Sequence, residues 1–205
     1  MLEPMTALTD LLLCIVACML GLKLMEYELG EGLLSRFFWG KALLSIGFSA
    51  FLGVINHGFI SADQPHAKFF FWRVTMIAIG SAGSNFMLSA VIVLGGKARH
   101  YLVIPLCVLD TIYIVWIWFF YDFRVVIVWL ALALVALGML CCKPGPHRKS
   151  LVVGAVLTGI GLGLWSASVA LNSYINHNDL YHLIQLVAVF FLYRAGLQLK
   201  DCADA

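Results

Sequence analysis

The chain has 205 residues, of which 62% are hydrophobic and only 12% charged, with a formal net charge of +2. Soluble domains carry roughly 45–50% apolar and about 25% charged residues, so the composition excludes an ordinary soluble fold and points to a protein embedded in lipid. The few basic residues stand at the ends of apolar runs and form no block, which leaves nucleic-acid binding without support.

Apolar runs of bilayer length, about 20 residues each, predict an all-α integral membrane protein with seven transmembrane helices in one bundle. The spans fall at about residues 8–25, 34–58, 69–95, 100–120, 124–142, 150–172 and 179–199, and residues 1–205 form a single domain. Lys23, Arg36, Lys41, Lys97, Arg99, Lys143, Arg148, Lys149, Arg194 and Lys200 flank one side, against Lys68, Arg73 and Arg124 on the other. Basic residues concentrate on the cytoplasmic side, so the N-terminus is expected outside and the C-terminus inside, in a bacterial inner membrane.

The first run lacks a basic leader and carries Glu3 and Asp10, so it is read as a retained span and not a signal peptide. Thr9 or Asp10 is expected to cap it. Residues 26–31 follow as an acidic, solvated joint. The second span ends in Asn56-His57-Gly58, with Ala50 and Gly53 near the face of His57, where small residues allow a neighbouring helix to approach. The polar turn 61–68 is an ordinary loop or a lid. In the third span Trp72 and Arg73 form an interfacial pair; Arg73 either snorkels or binds a substrate headgroup. The patch Gly80-Ser81-Ala82-Gly83-Ser84-Asn85 suits tight helix packing.

Asp110, near the middle of the fourth span, is an intramembrane acid. Burying it costs roughly 2.5–3.5 kcal/mol on an insertion scale, which makes it a functional candidate unless it joins two helices by a hydrogen bond. The fifth span is featureless up to Cys141-Cys142, and glycines thin the sixth. The six cysteines, Cys14, Cys18, Cys107, Cys141, Cys142 and Cys202, form no disulfide framework.

The seventh span opens with Asn176-His177-Asn178-Asp179-Leu180-Tyr181-His182-Leu183-Ile184-Gln185. At about 100° per residue, Asn178, His182 and Gln185 share one stripe with Asp179 at its edge. The plain reading makes Asn178 or Asp179 the helix cap and His182 a core residue. Alternating span directions, however, bring His57, Asp179 and His182 to one depth, together with Asp10 and Arg73. Imidazole and carboxylate ligands without paired thiolates suit zinc, with a fourth position open to water. The expected metal set is therefore His57, Asp179 and His182, with His177, Asn178 and Gln185 as alternative or supporting ligands. Zinc would generate hydroxide near neutral pH, with Asp10 or Asp110 as the acid that moves a proton.

Seven spans, a histidine closing the second and a histidine in the first turns of the seventh resemble the superfamily of alkaline ceramidases and adiponectin and progestin receptor-like proteins. His57 matches its first histidine and His182 its last. Asn178 stands where the His-x-x-x-His pair has its other histidine, and Gly53 replaces the serine four residues before His57. No aspartate stands early in the third span. The stretch His177–Gln185 is also similar to a bacterial membrane-protein family within or near that superfamily. The resemblance implies a zinc-dependent hydrolase that cleaves an amide or ester bond of a membrane lipid. The alternative is a non-catalytic receptor, sensor or assembly protein holding a structural metal or hydrogen-bonded histidines. Haem ligation by His57 and His182 and a transporter are further readings; the absence of inverted repeats disfavours the last.

Overall fold

A computed structural model describes residues 3–31, 33–61, 63–172 and 175–201, apart from the side chains of 27–31; Cys202 lies outside the described residues. Seven α-helices make up the fold: α1 (Pro4–Glu31), α2 (Leu34–Gly58), α3 (Pro65–Leu94), α4 (Arg99–Phe120), α5 (Phe123–Cys142), α6 (His147–Ser166) and α7 (His177–Gly196). α1 to α6 are each long and apolar enough to cross a membrane, and the chain is a multi-pass membrane protein. α7 carries its polar residues in its first turns, where it enters the bundle.

Helix boundaries follow local chemistry more closely than hydropathy. Pro4 and Pro65 open α1 and α3, because a first-turn proline loses no intrahelical bond and its φ is already helical. Thr9 and Asp10 consequently lie in the second turn of α1 and cap nothing. The expected joint at 26–31 is helical through Glu31, since Glu, Tyr and Leu offer no breaker before Gly30. α6 ends at Ser166, short of the expected 172: Ser168 is left-handed (φ 51°), and its N–H bonds back to Trp165 O at 3.0 Å. Asp122 caps α5 by accepting Arg124 N–H at 3.0 Å, and the Arg124 side chain holds the Asp122 carboxyl below its ordinary range.

In the packing order, α1 meets α2, α2 meets α3, α3 meets α5, α5 meets α6, α6 meets α7, and α7 returns to α1; α4 lies outside this ring, packed chiefly on α3. One apolar core joins α1, α2 and α7 with parts of α3, α5 and α6, around Leu24, Trp39, Leu43, Leu140, Leu151 and Leu192. Trp39 Nε1 donates to Leu192 O at 2.8 Å, so the largest buried side chain also satisfies its polar atom. A second core joins α3, α4 and α5 around Met76, Tyr113, Ile117 and Trp129. The outer face of α4 shows Tyr101, Ile104 and Phe119 at 81%, 68% and 69% exposure, as a lipid-facing helix should.

The ends of the described chain lie at opposite ends of α2. Glu3 N–H donates to His57 O at 3.0 Å. At the other end Leu34 N and Ser35 N donate to the two carboxylate oxygens of Asp201, at 2.9 and 3.1 Å. Asp201 thus caps a helix that has no side-chain cap of its own.

Candidate functional site

The first turns of α7 are built by Asn176. Its Oδ1 accepts Asn178 N–H and Asp179 N–H at 2.8 and 3.1 Å, while Asp179 Oδ2 accepts Asn176 N–H at 2.8 Å, a complete capping box. Asn176 Nδ2 also donates to Thr6 Oγ1 at 3.2 Å, which fixes α7 against α1. The capping side chain is therefore neither Asn178 nor Asp179. Asp179 gives Oδ2 to the box and keeps Oδ1 buried without a hydrogen-bond partner, and Asn178 Oδ1 accepts Trp165 Nε1–H at 2.8 Å.

One turn along, His182 meets α1. Its Nδ1 lies 3.1 Å from Thr9 Oγ1, and the Thr9 hydroxyl donates its single proton to Thr6 O at 3.0 Å. The Thr9 hydroxyl thus links the imidazole to the backbone of α1. The other nitrogen, Nε2, stands 3.3 Å from Asp10 Oδ1. The remaining oxygen, Asp10 Oδ2, is buried without a protein partner. Gly53 makes the arrangement possible: a Cβ there would sit 2.4 Å from Asp10 Oδ2. Asp10 occupies the space that a side chain at position 53 would take.

Asp10, Gly53, His57, Trp165, Asn178 and His182 all line one cavity of about 80 Å³, walled further by Trp72, Thr75 and Phe123. The Nδ1 of His57 pairs with Glu3 Oε2 at 2.9 Å at its rim. Deeper in the bundle lies a second chamber of about 80 Å³, lined mainly by aliphatic residues of α1, α2, α3, α5, α6 and α7. The two share Leu13, Ser49 and Ile79 as walls. Two buried polar atoms of residues lining the second chamber, Gln185 Oε1 and Thr158 Oγ1, have no protein partner.

The expected site residues are thus divided. His57, His182, Asp10 and Asn178 come together at one cavity, and Gln185 lines the adjoining chamber. His177 opens α7 beside the Trp165 ring, 6.4 Å between centroids. Arg73 turns to the opposite face of α3, with its guanidinium carbon 5.6 and 5.9 Å from the ring centroids of Phe69 and Tyr121; Trp72 and Thr75 take its place in the cavity wall. Asp110 lies on α4 and accepts a hydrogen bond from the Ser84 hydroxyl, outside the cavity altogether.

Of the expected zinc set, His57 and His182 line the cavity and Asp179 does not. Zinc takes three or more protein donors, and among the described residues no group of three His, Cys, Asp or Glu is placed to hold a metal ion. Asp179 Oδ2 serves the cap while its Oδ1 is buried without a hydrogen-bond partner, and His57 pairs through Nδ1 with Glu3; among the expected residues His182 and Asp10 are in direct contact. Sequence reasoning did not identify Asn176 as the cap, although Asn-x-x-Asp is a capping-box spacing. Thr9 as the orienting partner of His182 and Glu3 as that of His57 carry no local signal.

The sequence matches a family described as a family of unknown function (DUF6962) over residues 5–201. No curated protein and no solved structure matches it.

Proposed function

The chain belongs to that family of unknown function, and from its site we propose a membrane-embedded hydrolase that cleaves an amide or ester bond of a lipid, with Asp10 and His182 as its acid–base pair. The observation that carries this reading is the 3.3 Å approach of His182 Nε2 to Asp10 Oδ1 at the wall of a cavity that adjoins an apolar chamber. A lipid placed with its carbonyl beside the pair would extend its chain into the chamber. The pair takes a proton from a water that attacks the carbonyl carbon, then returns a proton to the departing amine or alcohol as the carbon–nitrogen or carbon–oxygen bond breaks. Thr9 is the positioning residue, holding the imidazole ring against α1. The distribution of basic residues supports an orientation with this end of the bundle outside.

The test is turnover of a ceramide and of a monoacylglycerol by detergent-purified protein. Asp10→Asn and His182→Gln should each lower the rate by about a hundredfold or more, with unfolding temperatures close to the parent. Unchanged turnover in both variants would sink the assignment. Zinc near one per chain, lost in both His57→Ala and His182→Ala, would instead make the histidines arms of a metal centre. A second reading, a non-catalytic lipid receptor, is favoured by the fact that both histidines already hold hydrogen-bond partners. Saturable lipid binding without turnover would establish it.

A further inference from the structure

A further cavity lies on the outside of the bundle, away from the site. It is an open groove of about 330 Å³ between α2 and α3, lined on α2 by residues 41, 44, 45 and 48 and on α3 by residues 74, 77, 78 and 81. Each set has the spacing i, i+3, i+4, i+7 of a single helical face, so two straight stripes form its walls. Leu44, Phe48, Val74, Ile77 and Ala78 make those walls apolar. Ser45 and Ser81 add two hydroxyls, of which Ser45 Oγ is satisfied by Lys41 O at 2.9 Å.

One charge stands in the groove. Lys41 is seven residues into α2, about 10 Å from its start at 1.5 Å per residue. Helical side chains lean towards the N-terminus, and the Lys41 ammonium lies 5.5 and 5.6 Å from the ring centroids of Phe37 and Phe38, one turn nearer the helix start. It has climbed towards the membrane surface along an aromatic ledge. Among the described residues no carboxylate pairs with it. From Lys41 the groove runs another seven residues, about 10 Å, to Phe48, towards the middle of the bilayer.

We propose that this groove seats an anionic glycerophospholipid of the leaflet at the Leu34 end of the bundle, its phosphate on Lys41 and one acyl chain along the α2/α3 stripes. The order of chemistry along the groove, cation at the surface and apolar wall beneath, is the order of groups along such a lipid. Net charge decides the class. A zwitterionic headgroup brings its own ammonium towards Lys41 and offsets the attraction, whereas phosphatidylglycerol or phosphatidic acid does not. A helix of another protein would match the apolar stripes but would need an acid of its own for Lys41, whereas an anionic lipid carries phosphate and chain in one molecule. The proposal is independent of the Asp10–His182 site.

The test titrates the full chain in detergent with dioleoyl phosphatidylglycerol and, separately, dioleoyl phosphatidylcholine, and counts retained lipid by native mass spectrometry. The parent should retain one phosphatidylglycerol with about fivefold or greater preference over phosphatidylcholine, the scale of one lysine at an anionic lipid. Lys41→Gln should remove the preference. Ser45→Phe, which fills the groove and leaves the charge, should remove the retained lipid of both kinds. Equal retention of the two lipids by the parent would reduce the groove to ordinary lipid contact. Preference surviving in Ser45→Phe would make Lys41 a surface charge without a seat. Either result overturns the proposal.

Discussion

Asp10 and Asp110 are both carboxylates inside membrane spans, yet their surroundings differ in kind. Asp110 belongs to a knot of direct bonds on α3, α4 and α5. Ser84 donates to it, Trp129 Nε1 donates to Gly80 O and Ser84 Oγ at 3.2 and 3.1 Å, and Tyr113 OH donates to Met76 O at 2.7 Å. The Tyr113 and Trp129 rings stack on each other with their centroids 5.1 Å apart. Asp10 has a histidine on one oxygen, nothing protein-borne on the other, and a cavity in front. A polar cluster bonded within itself holds helices together; one left open towards space is built to meet something else.

The sharpest way to break this contrast is to exchange the effects. Asp10→Asn should cost about a hundredfold or more in lipid turnover, whereas Asp110→Asn should leave turnover within a few-fold and lower the unfolding temperature. Equal losses of turnover would mean that the knot takes part in the chemistry. Next in size is Gly53→Ser, which places atoms on the Asp10 carboxylate and displaces it by about an ångström. Misplacement of that order costs up to about a hundredfold in rate, and an active Gly53→Ser would show that Asp10 need not stand where it does.

Gly80→Val probes the other cluster. A Cβ at Gly80 would fall 2.0 Å from the Tyr113 ring, so α4 must shift, at about 1–3 kcal/mol, visible in detergent unfolding as lost stability and weaker protection of α4 from exchange. Wild-type stability there would dissolve the knot as an explanation. Asn176→Ala is the smallest change, about 1 kcal/mol for the lost cap. Its interest lies in whether turnover falls as well, because the same side chain ties α7 to Thr6.

The division between legible and hidden features has a physical pattern. Span number, and the placing of His57 and His182 at one end, follow from hydropathy and alternating direction, which are one-dimensional properties. The choice between Asp10 and Asp110 is not one-dimensional: depth says how far a residue lies from the surface and nothing about which way its helix is turned. Arg73 shows the same limit. Its depth is that of the site, but the neighbouring Trp72 and Thr75 face the cavity while Arg73 stacks on Tyr121. Asp179 differs for another reason: a carboxylate three residues after an asparagine at a helix start has a local partner, and one of its oxygens takes that bond.

Asp201 supplies the cap of α2 from 167 residues downstream of Leu34. During synthesis at about 5–20 residues per second, the start of α2 waits roughly ten to thirty seconds for the carboxylate that finishes it. α1 and α2 can enter the bilayer early, but the end of the bundle opposite the histidines closes only after residue 201 has left the ribosome. A bulky insertion placed directly after Asp201 would act on the start of α2 as much as on the residues beside it.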